Sequence, residues 1–247
     1  MDVILEQYFD LSLMAEHFDD VLAGFWITIK LSVVAGVLAL FWGLVLALLR
    51  QLPGKPLMPV RFLTIAYIDV FRGIPLLMII LLVSGSLPFL PIPEAIAIPR
   101  WFGQPDTFWY GVIALTITYG AYMAEVYRSG IEGVPGGQME AARSLGMNHR
   151  QAMRNVIVPQ AVRRVIPPLL NDYIALMKDT TLVSVIALNE AALVGRDVQS
   201  SLFNSSALTL GAIMFLVVTL PLARFVDRQI AREHRRFSRG APRVETG

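Results

Sequence analysis

Leu31-Ser-Val-Val-Ala-Gly-Val-Leu-Ala-Leu-Phe-Trp-Gly-Leu-Val-Leu-Ala-Leu-Leu49 decides the fold class of this chain. Nineteen residues pass between Lys30 and Arg50 without a charge. A helix needs about 20 mainly apolar residues to cross the hydrocarbon of a bilayer. The apolar pattern also runs backward through residues 21–29, which predicts one long, tilted span. Four further stretches read the same way. Residues 73–93 are uncharged, and 61–70 read as the start of the same helix. Residues 107–124 are uncharged. Residues 165–188 are mostly apolar but carry Asp172, Lys178 and Asp179. Residues 198–223 are uncharged, with the densest apolar part from Ala207. The expected fold is an all-α integral membrane protein with five transmembrane helices.

Composition supports that class. The 247 residues are 55% hydrophobic and 16% charged, and mean hydropathy is +0.58. Soluble domains sit nearer ~45–50% and ~25%, so this chain has too little polar surface to coat a globule. Without cysteine, disulfide scaffolds, iron–sulfur clusters and thiol nucleophiles are excluded. His17, His149 and His234 are too scattered to form a metal set. No nucleic-acid motif accompanies the pI of 9.0. The basic residues fit membrane orientation better.

Their distribution sets that orientation. Arg50, Lys55 and Arg61 fill one loop without an acid, and Arg128, Arg143, Arg150, Arg154, Arg163 and Arg164 mark another. The tail carries Arg228, Arg232, Arg235, Arg236, Arg239 and Arg243, and the other two connections hold only Arg100 and Arg196. The positive-inside rule places the N-terminus outside and the C-terminus in the cytoplasm, as an odd number of spans requires. Residues 1–20 hold six acids and no Lys or Arg, unlike a signal peptide, and read as an extracytoplasmic lead lying on the membrane. A single transmembrane domain, 21–230, follows, then a basic tail, 231–247. Trp101, Trp109 and Tyr110 read as interfacial anchors.

The loop at 129–164 is too structured for a linker. Residues 138–145 favour helix, and Gly146 is placed as a C-terminal stop. Asn148 and Gln151 have the spacing of a capping box, opening a second short helix that meets Pro159. Composition alone fits a plain surface hairpin. The text itself says more. Glu140-Ala141-Ala142, then Gly146 after three residues, then Val156-Ile157-Val158-Pro159, resembles the EAA motif of ABC importer permeases, with Val for Ile and Val for Leu near the end. Glu125-Val-Tyr-Arg128-Ser-Gly130, Phe71-Arg72-Gly73-Ile74-Pro75-Leu76-Leu77, Lys178-Asp179-Thr180-Thr181-Leu182 and Trp26-Ile-Thr-Ile-Lys-Leu-Ser32 are similar to stretches of the polar amino-acid branch, the histidine, glutamine and arginine type.

The resemblance implies a coupling loop, with Glu140, Ala141, Ala142, Gly146 and Pro159 docking on a separate cytoplasmic ATPase dimer. It implies a second permease subunit, copy or paralogue, and an extracytoplasmic binding protein, in a bacterial cytoplasmic (inner) membrane. The chain has no phosphate-binding loop, so no cofactor is expected in it; ATP and magnesium belong to the partner.

Ionisable residues inside a membrane are functional candidates by default. Asp69 and Arg72 are three apart, share a helix face, and stand about mid-bilayer by residue count beside a Gly73-x-Pro75 break. They read either as a structural ion pair or as a transport-path site, with Arg72 gripping a carboxylate and Asp69 or Asp179 an ammonium. Lys178, Asp179 and Thr180 belong to the path or form a salt-bridged helix end. Glu125 with Arg128 reads as a surface pair, and Asp172 as structural. The rival to an ATP-driven importer is an ion-gradient-driven secondary transporter or channel. The complete motif and the lack of internal repeats count against it.

Overall fold

A computed structural model describes residues 2–90 and 103–240. Trp101, Arg100, the end of the second apolar stretch and residues 241–247 lie outside them. The described residues form eleven α-helices, with short 3-10 and π turns between some of them. Two short helices, α1 (Asp2–Phe9) and α2 (Leu11–Glu16), precede α3 (Phe18–Arg50), which is the long span expected. The second stretch is broken into α4 (Met58–Gly73) and α5 (Leu76–Ser86). Then come α6 (Asp106–Glu132), α7 (Gly136–Ser144), α8 (His149–Ala152), α9 (Val158–Asp179), α10 (Ala191–Leu202) and α11 (Ser206–Gly240). By length and apolarity, α3 and residues 206–231 of α11 can each cross a membrane, as can α4 with α5 taken as one bent pair. The helices α6 and α9 fall short because they carry the polar residues described below.

The bundle is centred on α3, α6 and α9. Leu31, Ala35, Ala39, Leu115, Met123 and Leu176 are fully buried between them. Lipid supplies no hydrophobic drive for helices to associate, so close packing must do it, and small residues allow it. A Cβ on Gly43 of α3 would stand 2.9 Å from the Gly120 carbonyl oxygen of α6, and one on Gly120 would stand 2.6 Å from the Trp42 ring.

Pro75 explains the break. It has no N–H, so the Phe71 carbonyl loses its helical donor, and the proline ring drives Ile74 to extended backbone (ψ 132°). The two halves meet at 108°.

Two boundaries differ from expectation. Residues 198–223 are not one span. Phe203 closes α10 in the left-handed region (φ 50°), and the Asn204 side chain then accepts from the Ser206 amide to start α11. Nor does Pro159 stop a helix. A π turn, Met153–Ile157, joins α8 to α9, and Pro159 sits in the first turn of α9, where no donor is required. The N-terminal lead is stitched to the turn between α10 and α11: the Ser205 amide donates to Gln7 O (2.8 Å), and Asn204 Nδ2 to Glu6 O (2.9 Å). Asp10 caps α2, and the Ser12 hydroxyl and Leu13 amide hold its carboxyl below the usual range.

Candidate functional site

The α4–α5 break opens a cavity of about 590 Å³ against α6 and α9. Arg72, Ile74, Pro75, Tyr119, Tyr122, Asp172 and Asp179 are among its lining residues. The break is what aims Arg72 there: it is the last residue but one of α4, and its guanidinium lies over the Tyr122 ring, 5.6 Å from the centroid. A cation over an aromatic face is attracted by the ring quadrupole while its N–H groups stay available. The Tyr122 hydroxyl donates to the Arg72 carbonyl at 3.4 Å, which fixes the end of α4.

Across the cavity, α9 contributes two carboxylates seven residues apart, on one helix face. Asp179 accepts from the Tyr119 hydroxyl at 2.7 Å. Asp172 is different: its Oδ2 is buried and has no hydrogen-bond partner. The Thr118 hydroxyl, in the same lining, is also buried without one. Buried polar groups are normally satisfied, so two unpartnered polar atoms on residues that line one cavity make it the candidate site.

The site residues expected from sequence fall in four places. Arg72 and Asp179 line the cavity. Asp69 does not pair with Arg72: it is exposed on α4, and no salt bridge joins them. Three residues along a helix places the two on neighbouring surface, but the α4 terminus turns the arginine toward Tyr122. Lys178 makes no ion pair with Asp179. It faces a separate groove between α9 and α11 with Phe215 and Leu216, because adjacent residues on a helix point about 100° apart. Thr180 is fully buried and donates its hydroxyl to Met177 O at 2.7 Å, at the end of α9. Asp172, read as structural, belongs to the cavity. Tyr119, Tyr122 and Thr118 were not singled out from sequence, since aromatics and threonines in an apolar helix carry no signal without its facing.

At the other end of the bundle the charges are matched. Glu125 bonds Arg50 at 2.7 Å and also Arg128, which in turn bonds Glu132. The pair expected from sequence is thus part of a four-residue collar tying α3 to α6. Beside it, Val134 from the turn before α7, Ile157 of the π turn and Ala161 of α9 form a small buried cluster, with Met139 of α7 packed against it. Gly146 has φ +84°, its amide donates to Arg143 O, and the Met147 amide donates to Ala142 O. That is a Schellman ending, which only glycine adopts freely. Asn148 and Gln151 form the expected capping box. Ala142 is buried, whereas Glu140, Ala141 and Pro159 are exposed.

No group of His, Cys, Asp and Glu among the described residues has the arrangement to hold a metal ion. A third carboxylate sits apart from the cavity. Glu190 is fully buried and caps α10, accepting from the Ala192 and Leu193 amides at 2.9 Å each, with the Thr28 hydroxyl of α3 at 3.4 Å. It is a structural joint that no sequence motif announced.

Residues 39–235 match the family of binding-protein-dependent transport system inner membrane components. The chain is similar to a probable glutamine ABC transporter permease protein of Bacillus subtilis, at 35% identity over 222 residues, 87% of this chain and 93% of the relative. It is similar to a glutamate transport system permease protein of Corynebacterium glutamicum, at 36% identity over 214 residues, covering 85% and 92%. Among solved structures it resembles that of an amino acid ABC transporter with histidines, with a TM-score of 0.78 at 33% identity, covering 90% of this chain and 98% of the other. The chain therefore belongs to the binding-protein-dependent transport system inner membrane components, the permease subunits of ABC importers in the bacterial inner membrane.

Proposed function

We propose that the chain carries polar α-amino acids through the α4–α5/α6/α9 cavity, with Arg72 on the carboxylate and Asp172 on the ammonium. The observation that carries this is a cavity holding a guanidinium and an orphaned carboxylate on facing helices. A zwitterionic amino acid supplies the two charges these groups lack. Asp179, held by Tyr119, sits seven residues along α9 from Asp172 and reaches the side chain of a bound amino acid. The names of the relatives, which are glutamine and glutamate permeases, support the same class.

The chain acts in a five-span arrangement, N-terminus outside and C-terminus inside, with α7 and α8 toward the cytoplasm. A second permease subunit and an ATPase dimer complete the importer, and an extracytoplasmic protein delivers the substrate. Glu140, Ala141, Ala142, Gly146 and Pro159 form the coupling surface; the exposed Glu140 and Ala141 face the partner, and Gly146 shapes the turn.

The test is substrate-stimulated ATP hydrolysis in the reconstituted complex. A panel compares glutamine, glutamate, arginine and histidine with the amide and the N-acetyl derivative of each. Stimulation by free amino acids, lost with either derivative, supports a two-ended site. Equal stimulation by both derivatives removes it.

A further inference from the structure

The charges that line the cavity do not cancel. Among the described residues Arg72 is its one cation, against two carboxylates, Asp172 and Asp179. Neither acid forms a salt bridge among those residues. Asp179 has a partner, but a neutral one: the Tyr119 hydroxyl donates to its Oδ2 at 2.7 Å. A hydroxyl orients a carboxylate without cancelling its charge. The neighbouring cation, Lys178, lines the groove toward α11 and not the cavity.

The missing charge constrains the ligand. A zwitterion with a neutral side chain brings one charge of each sign. It answers Arg72 and Asp172 and leaves Asp179 an unpaired anion enclosed among helices, where unpaired charge is costly. A side-chain carboxylate adds a second negative charge beside Asp179, and the two repel. A side-chain cation completes the set.

Length selects among cations. Asp179 stands seven residues after Asp172 on α9, roughly 10 Å along the axis. In an extended chain the α-nitrogen and the terminal nitrogen of lysine or arginine are about 7–9 Å apart. A charge-assisted hydrogen bond of ~2.8 Å at each end then spans the two carboxylates. Histidine is shorter and largely neutral at pH 7.

We infer that the cavity selects long cationic amino acids, arginine and lysine, over neutral and acidic ones, with Asp179 as the specificity-determining residue that takes the side-chain cation. This rests on the reading of Arg72 and Asp172 as the grips on the α-carboxylate and α-ammonium. Tyr119 is a positioning residue, aiming the Asp179 carboxylate into the cavity.

The experiment measures equilibrium binding of radiolabelled arginine to the detergent-purified permease–ATPase complex, without the extracytoplasmic protein, so that the cavity alone makes the choice. The competitors are lysine, citrulline, glutamine, glutamate, arginine amide and N-acetylarginine. Citrulline keeps the length of arginine but carries a neutral urea where arginine carries the guanidinium. Arginine and lysine should compete at least about tenfold better than citrulline or glutamine, with glutamate weakest. Asp179→Asn should bring the ratio of arginine to citrulline affinity to about one, and Asp179→Glu, which keeps the charge, should retain most of the preference. The wild-type comparison of arginine with citrulline needs no variant, so it decides even where Asp179→Asn fails to assemble. Equal competition by arginine and citrulline in wild type, with both α-derivatives inactive, overturns this inference and leaves the two-ended site standing. α-Derivatives that compete as well as arginine remove the two-ended site itself. A preference for arginine that survives Asp179→Asn unchanged places the cation on another residue and likewise overturns the inference.

Discussion

The collar at the loop end and the cavity between the helices hold similar side chains in opposite states. In the collar, Arg50, Glu125, Arg128 and Glu132 satisfy one another. In the cavity, Arg72 and Asp172 share a lining without forming a salt bridge, and one oxygen of Asp172 bonds nothing. Matched charges tie helices together. Unmatched charges inside a membrane cost stability, and the proposed function accounts for these two by a substrate that matches them. The identity of a charged residue is therefore less informative than whether its own chain has already answered it.

The largest effect should follow from disturbing the unmatched set. Arg72→Lys keeps the charge but loses the planar fork, and Asp172→Asn keeps the shape but loses the charge. Each should cut transport efficiency by about 10–100-fold, the range expected for losing hydrogen bonds to charged groups worth ~1.5–3 kcal/mol. Assembly with the ATPase should be unchanged, measured by co-purification. If both variants transport normally, the cavity charges are as structural as the collar, and the comparison fails.

A smaller effect should come from Gly146→Ala. A non-glycine residue held at φ +84° costs about 1–2 kcal/mol, and nothing crowds its Cβ, so the strain is confined to the backbone. Uptake should fall severalfold, up to about tenfold, while substrate binding to the permease stays intact. Gly146→Asn, which tolerates the left-handed region better, should lie between the two. Loss of substrate binding in either variant would mean that the turn supports the cavity rather than coupling.

The extent to which sequence foretold these regions follows from the period of the signal. Long uncharged runs such as residues 31–49 announce a helix in hydrocarbon whatever its neighbours are, and α3 has those limits and more. Gly146 and Asn148 were legible because turn and cap chemistry is local. The facing of α9 was not. Asp172, Lys178 and Asp179 look equivalent in the chain, yet packing against α6 on one side and α11 on the other sends them to different places. Asp69 and Arg72 looked like a pair because spacing gives only proximity. The helix break that turned the arginine away was visible as Gly73-x-Pro75, but its 108° angle was not. Tyr122 and Thr118 acquire meaning only from what they face.

A third prediction tests the matched set. Glu125→Gln removes two ion-pair partners at a site only partly exposed. Its cost should fall between an exposed pair and a buried one, about 1–2 kcal/mol. That should appear as a fall of a few degrees in the thermal midpoint of the purified permease. Substrate-stimulated hydrolysis per assembled complex should stay within about twofold of wild type, since the first prediction assigns recognition elsewhere. A loss of recognition as large as that of Asp172→Asn would erase the distinction between the two regions.

The smallest effect is expected at Lys178, and it is the sharpest check on facing. The residue lies next to Asp179 in sequence, yet with Ile174, Phe215 and Leu216 it lines the groove toward α11. An exposed ammonium there has a long apolar stem lying on apolar neighbours, as such side chains do at membrane boundaries. Lys178→Met keeps the stem and deletes the charge, so packing in the groove should be preserved. Transport should change by less than about twofold, and the amino-acid preference should not move. Asp179→Asn, one residue on, alters a cavity-lining carboxylate held by Tyr119 and should change the preference among glutamine, glutamate and arginine. If the two neighbours behave alike, the lysine reaches the same water-filled space as the aspartate, and α9 must rotate during transport. If only Asp179→Asn shifts the preference, the division of α9 into a face toward the cavity and a face toward α11 holds through the cycle.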